Sequence, residues 1–95
     1  MGFVQIIEYK TTRMDEIREL IEKYRANRSE GDAPKAIVTK DRDRADTYLT
    51  IVEFDSWEAA QANSNRPETT EMAQAMGALC DGPPTFYNLD IVDRG

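Results

Sequence analysis

Histidine is absent from this chain of 95 residues. That absence removes imidazole general bases, His-ligated metals, His-ligated haem and the Ser-His-Asp constellation. Cysteine is nearly absent too, with Cys80 standing alone. One thiol builds neither an internal disulfide framework nor a multi-thiolate metal site, and it fits a reducing compartment. At the end of a helical segment, Cys80 reads as a small buried hydrophobe. With five glycines in all, the chain has no glycine-rich phosphate loop. Positive charge is also short: 12 Lys and Arg against 18 Asp and Glu leave a net charge of −6. Such a surface repels phosphate, so a nucleic-acid partner is not expected. No stretch approaches membrane-spanning length, and "MGFVQIIEYK" lacks the basic start and long apolar run of a signal peptide. The expectation is a cytoplasmic protein with no membrane partner.

What the chain does contain is periodicity. Residues 3–9, "FVQIIEY", alternate as a strand with Phe3, Gln5, Ile7 and Tyr9 on one face and Val4, Ile6 and Glu8 on the other. Residues 12–25 read as a helix, with Thr12 as its cap and Asp15 completing a capping box. Met14, Ile17, Leu20, Ile21 and Tyr24 form its apolar stripe. Residues 26–35, "ANRSEGDAPK", have the composition of a loop. Residues 36–40 and 47–54 then make two strands joined by the charged run "DRDRAD", an antiparallel hairpin.

A second helix follows, with Asp55 as N-cap, Glu58 three residues on, and Phe54 placed to staple against Ala59. It breaks at Asn63-Ser64-Asn65-Arg66. Pro67 suits the first position of a new segment whose apolar face is Met72, Ala73, Met76 and Leu79, ended by Gly82-Pro83-Pro84. Residues 86–92, "FYNLDIV", complete the pattern as a strand.

The order is β-α-β-β-α-β, an α+β ferredoxin-like fold with a four-stranded antiparallel sheet, spanning residues 1–95 as one domain. Helices cover one face of such a sheet, yet three of the strands carry apolar residues on both. A homodimer packed sheet against sheet is the simplest way to cover the second.

The groups left for chemistry are aromatic and amide. Trp57 falls in the first turn of its helix, where an indole can line a cavity edge. Gln5 is polar on an otherwise apolar strand and needs a partner or a ligand if buried. Asn63 lies at the helix break, and Tyr48 sits on a central strand.

The strand at 48–54, the stretch "FDSWEAAQANSNRPET" and the terminal "FYNLDIV" together resemble the antibiotic biosynthesis monooxygenase-like families. Those families show Ser-x-Glu-Ala after a strand, then a His-containing segment, then Pro-His. Ser56, Glu58, Ala59 and Pro67 match, whereas the two family histidines fall on Asn63 and Glu68. The resemblance implies a dimeric α+β barrel with a pocket in each subunit, between sheet and helices. It implies no cofactor, because the members outside the haem branch include cofactor-free oxygenases acting on electron-rich polycyclic phenols. In those, Trp, Tyr and Asn groups bind the phenol, and Trp57, Tyr48 and Asn63 are the counterparts here. Gln5 is the nearest equivalent of a first-strand Asn in the haem branch. Two functions stay open: a cofactor-independent monooxygenase for a small aromatic or phenolic substrate, and a non-catalytic small-molecule-binding or structural homodimer. Gln5, Tyr48, Trp57 and Asn63 are the candidate ligand-binding residues, and no catalytic or metal-binding residue is assigned.

Overall fold

A computed structural model describes residues 2–26 and 35–94. Its elements are β1 (Phe3–Lys10), α1 (Met14–Ala26), β2 (Lys35–Lys40), β3 (Thr47–Phe54), α2 (Trp57–Ser64), α3 (Pro67–Ala78) and β4 (Thr85–Asp90). Most of the expected loop at 26–35, residues 27–34, lies outside the described residues.

The four strands form one sheet in the order β2-β3-β1-β4, antiparallel at every pairing. This is the ferredoxin-like α+β arrangement expected from the order of elements. Register sorts the side chains. Opposite Phe3, Gln5, Ile7 and Tyr9 stand Phe54, Val52, Thr50 and Tyr48. On the far side of β1, Gln5 and Ile7 face Asn88 and Phe86. These residues share the face that the helices cover. Val4 and Ile6 face the other way, beside Ile51, Leu89 and Tyr87. Leu89 and Ile37 on that outer face are 45% and 62% exposed. Val92 was expected to continue β4, but the strand ends at Asp90 and Val92 is exposed.

Helix α1 turns Ile17 fully inward at the centre of its apolar stripe. The helix starts two residues later than the sequence suggested. Its first backbone bonds come from Glu16 and Ile17 to the Arg13 carbonyl, so Thr12 is exposed rather than capping. The residue before it, Thr11, is fully buried instead. Its hydroxyl donates to the Leu79 carbonyl at 2.7 Å and accepts from the Arg13 N–H at 2.9 Å. Its own N–H donates to the Asp46 carbonyl at 3.0 Å. One side chain and one peptide group thus join the start of α1, the β2–β3 turn and the end of α3.

The start of α2 is also shifted by one residue. Ser56, extended at φ −159 and ψ 168, accepts from the Ala59 N–H at 3.1 Å and is the N-cap. Asp55 therefore precedes the cap, and the Asp55–Glu58 box does not form. At the break, the Asn65 N–H closes α2 onto the Gln61 and Asn63 carbonyls, and Pro67 opens α3 at its first position. The β2–β3 turn is held by Asp41, which accepts from the Asp43 N–H at 2.8 Å and pairs with Arg44 at 2.7 Å. Those bonds hold the Asp41 carboxyl below its usual range, the Asp43 amide contributing most. Arg44 reaches on to Glu8, and the Tyr87 hydroxyl donates to the same carboxylate.

Thr11→Val keeps the shape but strands the Leu79 carbonyl and the Arg13 N–H without a protein partner. The expected loss is about 1–3 kcal/mol of unfolding free energy, read from urea denaturation. Thr11→Ser, which keeps the hydroxyl, should recover most of it.

Candidate functional site

The helices do not close fully onto the sheet. Between them lies a cavity of about 440 Å³, within the size range of small-molecule sites. Its floor is the inner sheet face: Gln5, Ile7 and Tyr9 from β1, Thr50, Val52 and Phe54 from β3, Ala36 and Val38 from β2, and Phe86 from β4. Its roof comes from Ile21, Tyr24 and Arg25 of α1, the end of α2 at Asn63, and Met72, Ala73 and Met76 of α3. The α3 face carries no fully buried residue, because its methionines look into this space rather than onto packed side chains.

Several polar groups of the lining are paired. The Gln5 amide donates to the Asn88 side-chain oxygen at 3.1 Å, which orients Gln5 in the wall. The Tyr9 and Thr50 hydroxyls are 3.0 Å apart, and those of Tyr24 and Thr69 are 2.9 Å apart across α1 and α3. Tyr9 is 3% exposed, its ring stacked on Tyr48 at 6.0 Å between centroids. Burial pushes the Tyr9 phenol above its ordinary value, and the hydrogen bond with Thr50 opposes that only in part. Cys80, expected as a buried hydrophobe, is half-buried and borders the cavity just beyond α3. Burial, with Asp81 beside it in sequence, raises its thiol pKa as well. Both groups are therefore held in their neutral forms.

The four candidate residues take three positions. Gln5 and Asn63 line the cavity together. Tyr48 lines a second hollow, between α1 and the β2–β3 hairpin. Trp57 borders neither; its indole packs on Phe3 with centroids 5.1 Å apart and planes at 59°, and the residue stays 42% exposed. Sequence reasoning did not single out Thr50, Tyr24 and Thr69, or see Tyr9 as part of a site. The alternation of β1 and β3 was the available signal for Tyr9 and Thr50, but it does not say which face meets the helices. Among the described residues no group of three or more Cys, Asp or Glu side chains is arranged to hold a metal ion. No helix among them is long and apolar enough to cross a membrane.

This architecture, a four-stranded antiparallel sheet with helices on one face, recurs in solved structures. SnoaB from Streptomyces nogalater, a cofactor-independent oxygenase, superposes with a TM-score of 0.78 at 13% identity, over 98% of this chain and 95% of that one. A Caulobacter crescentus protein named after the antibiotic biosynthesis monooxygenases gives 0.76 at 16% identity, over 97% and 92%. A conserved protein from Methanosarcina mazei Go1 gives 0.78 at 9% identity, over 94% and 91%. No family model and no curated protein matches the chain. At these identities the likeness is one of fold, and at that level it bears out the resemblance to antibiotic biosynthesis monooxygenases.

The Tyr9 phenol gives a pH test. Its pKa is raised in the folded chain, so its contribution to stability is complete below the unfolded value and lost as pH rises through the folded one. Stability should fall above about pH 10 more steeply in the parent than in Tyr9→Phe. Urea midpoints measured across that range check the difference.

Proposed function

We propose that the cavity binds a small aromatic or phenolic molecule and that the protein is a cofactor-independent monooxygenase. The observation that carries this reading is the cavity itself. It is an apolar hollow sized for a few fused rings, floored by aliphatic strand residues, with the Gln5 amide and the Tyr9–Thr50 hydroxyls set into its wall. The similarity in fold to SnoaB, an oxygenase that works without a cofactor, supports it.

The chemistry balances without a reductant. One dioxygen converts a phenol to a quinone, with one oxygen atom entering the new carbonyl and the other leaving as water. The electrons come from the phenol ring. The chain supplies a dry cavity that orients the ring, and amide and hydroxyl donors for the charge that develops on oxygen.

A second reading is favoured by the two shifted pKa values. Burial raises the Tyr9 and Cys80 pKa values further above neutrality, so neither serves as a base at neutral pH, consistent with a non-catalytic binding protein. Oxygen uptake with 1-naphthol, alongside calorimetric binding, separates the two. The oxygenase reading expects one dioxygen consumed per quinone formed, with uptake and binding both lost in the cavity-filling variant Ala73→Trp. Binding without uptake leaves the binding protein, and absence of both removes the cavity reading.

The functional unit in this reading is a homodimer packed through the outer sheet face. The apolar side chains of Val4, Ile6, Ile51 and Leu89 there meet their symmetry copies. Light scattering should give twice the monomer mass at micromolar concentration, and Leu89→Lys should give the monomer. A monomeric parent protein would overturn this assembly.

A further inference from the structure

A second hollow, of about 470 Å³, lies between α1 and the β2–β3 hairpin. Arg18 and Arg25 reach it from α1, and Lys40 reaches it from the end of β2, beside Tyr48 and Thr39. Glu22 is the one carboxylate in its lining among the described residues. The local balance is positive on a chain whose net charge is −6. Elsewhere Arg13, Arg44, Arg66 and Arg94 each have an acidic partner: Glu16, Asp41 with Glu8, Glu68, and Glu53 respectively. Arg18, Arg25 and Lys40 have none among the described residues.

This hollow adjoins the apolar cavity: Ile21, Arg25 and Val38 line both. An apolar chamber therefore lies beside a group of cations that have no acidic partner among the described residues. From this juxtaposition we infer that the ligand is an amphipathic acid. Its ring system lies in the cavity, and its anionic group, a carboxylate or a comparable oxyanion, lies among Arg18, Arg25 and Lys40.

The inference rests on the cavity being the ligand site, and it adds the charge of the ligand. A protein this acidic repels anions at long range. Cations grouped at the mouth reverse the field where the head group sits, and Arg side chains offer forked donors to a carboxylate. Tyr48, opposite Lys40 in the β2–β3 register, lines the same hollow.

The test compares 2-naphthoate with 2-naphthol, which share a ring system and differ in charge at pH 7, by titration calorimetry at low salt. The double variant Arg18→Gln/Lys40→Gln is chosen because neither residue lines the apolar cavity. The expected result is that naphthoate binds the parent more tightly than naphthol. The double variant should weaken naphthoate about three- to tenfold and leave naphthol unchanged. Added salt should weaken naphthoate binding alone. If naphthol binds and the variant leaves naphthoate unaffected, the acid specificity is overturned while the cavity reading stands. If neither ligand binds, both fall.

Discussion

Thr11 is a small polar residue with no exposed surface, and the segments it joins come from distant parts of the chain. Its hydroxyl serves the Arg13 N–H and the Leu79 carbonyl, and its backbone N–H serves the Asp46 carbonyl. A buried hydroxyl in a protein interior is tolerated only when its bonding capacity is used, so each of these segments is held in place by the others. The next peptide out repeats the tie, with the Asp81 N–H donating to the Lys10 carbonyl at 2.8 Å. The consequence reaches the cavity. With the C-terminal end of α3 fixed here and its N-terminal end fixed by Pro67 after the α2 break, α3 spans the sheet at a set height. Its methionines hang into the space below.

The two faces of the sheet have different fates. The inner face carries aliphatic side chains with hydroxyl and amide groups among them, under a roof that leaves room. The outer face is apolar in the middle and charged toward its ends, where Glu8 meets Arg44 and Tyr87, and Glu53 meets Arg94. Polar groups placed this way suit a surface whose centre is desolvated and whose rim stays wet. The same pattern blunts pairing at random, because a misplaced partner would bury an ion pair without matching it.

Much of this was legible in the chain itself, and the misses have physical reasons. Strand β3 was found at its true limits because a charged run precedes it and a capping sequence follows. Adjacent residues able to cap were harder. Asp55 and Ser56 are both good N-caps, and only the backbone angles at Ser56 decide between them. Thr11 and Thr12 pose the same choice, settled by the Leu79 carbonyl, 68 residues away in sequence. Trp57 was placed correctly in the first turn of α2, but Phe3 takes its ring. No local pattern reveals which of two apolar surfaces a helix turns toward a strand. The paired hydroxyls of Tyr24 and Thr69 were out of reach for the same reason, since they meet only once α1 and α3 lie side by side.

The hollow beneath α3 has a meaning apart from what fills it. A chain of 95 residues has few side chains with which to build an interior, and here a part of that interior has been left open. In the proposed reading a guest molecule does the work of missing side chains: its carbon surface takes the place of a packed core layer between methionines and strands. Folding and occupancy would then draw on the same contacts, and a molecule that binds there would stabilise the fold.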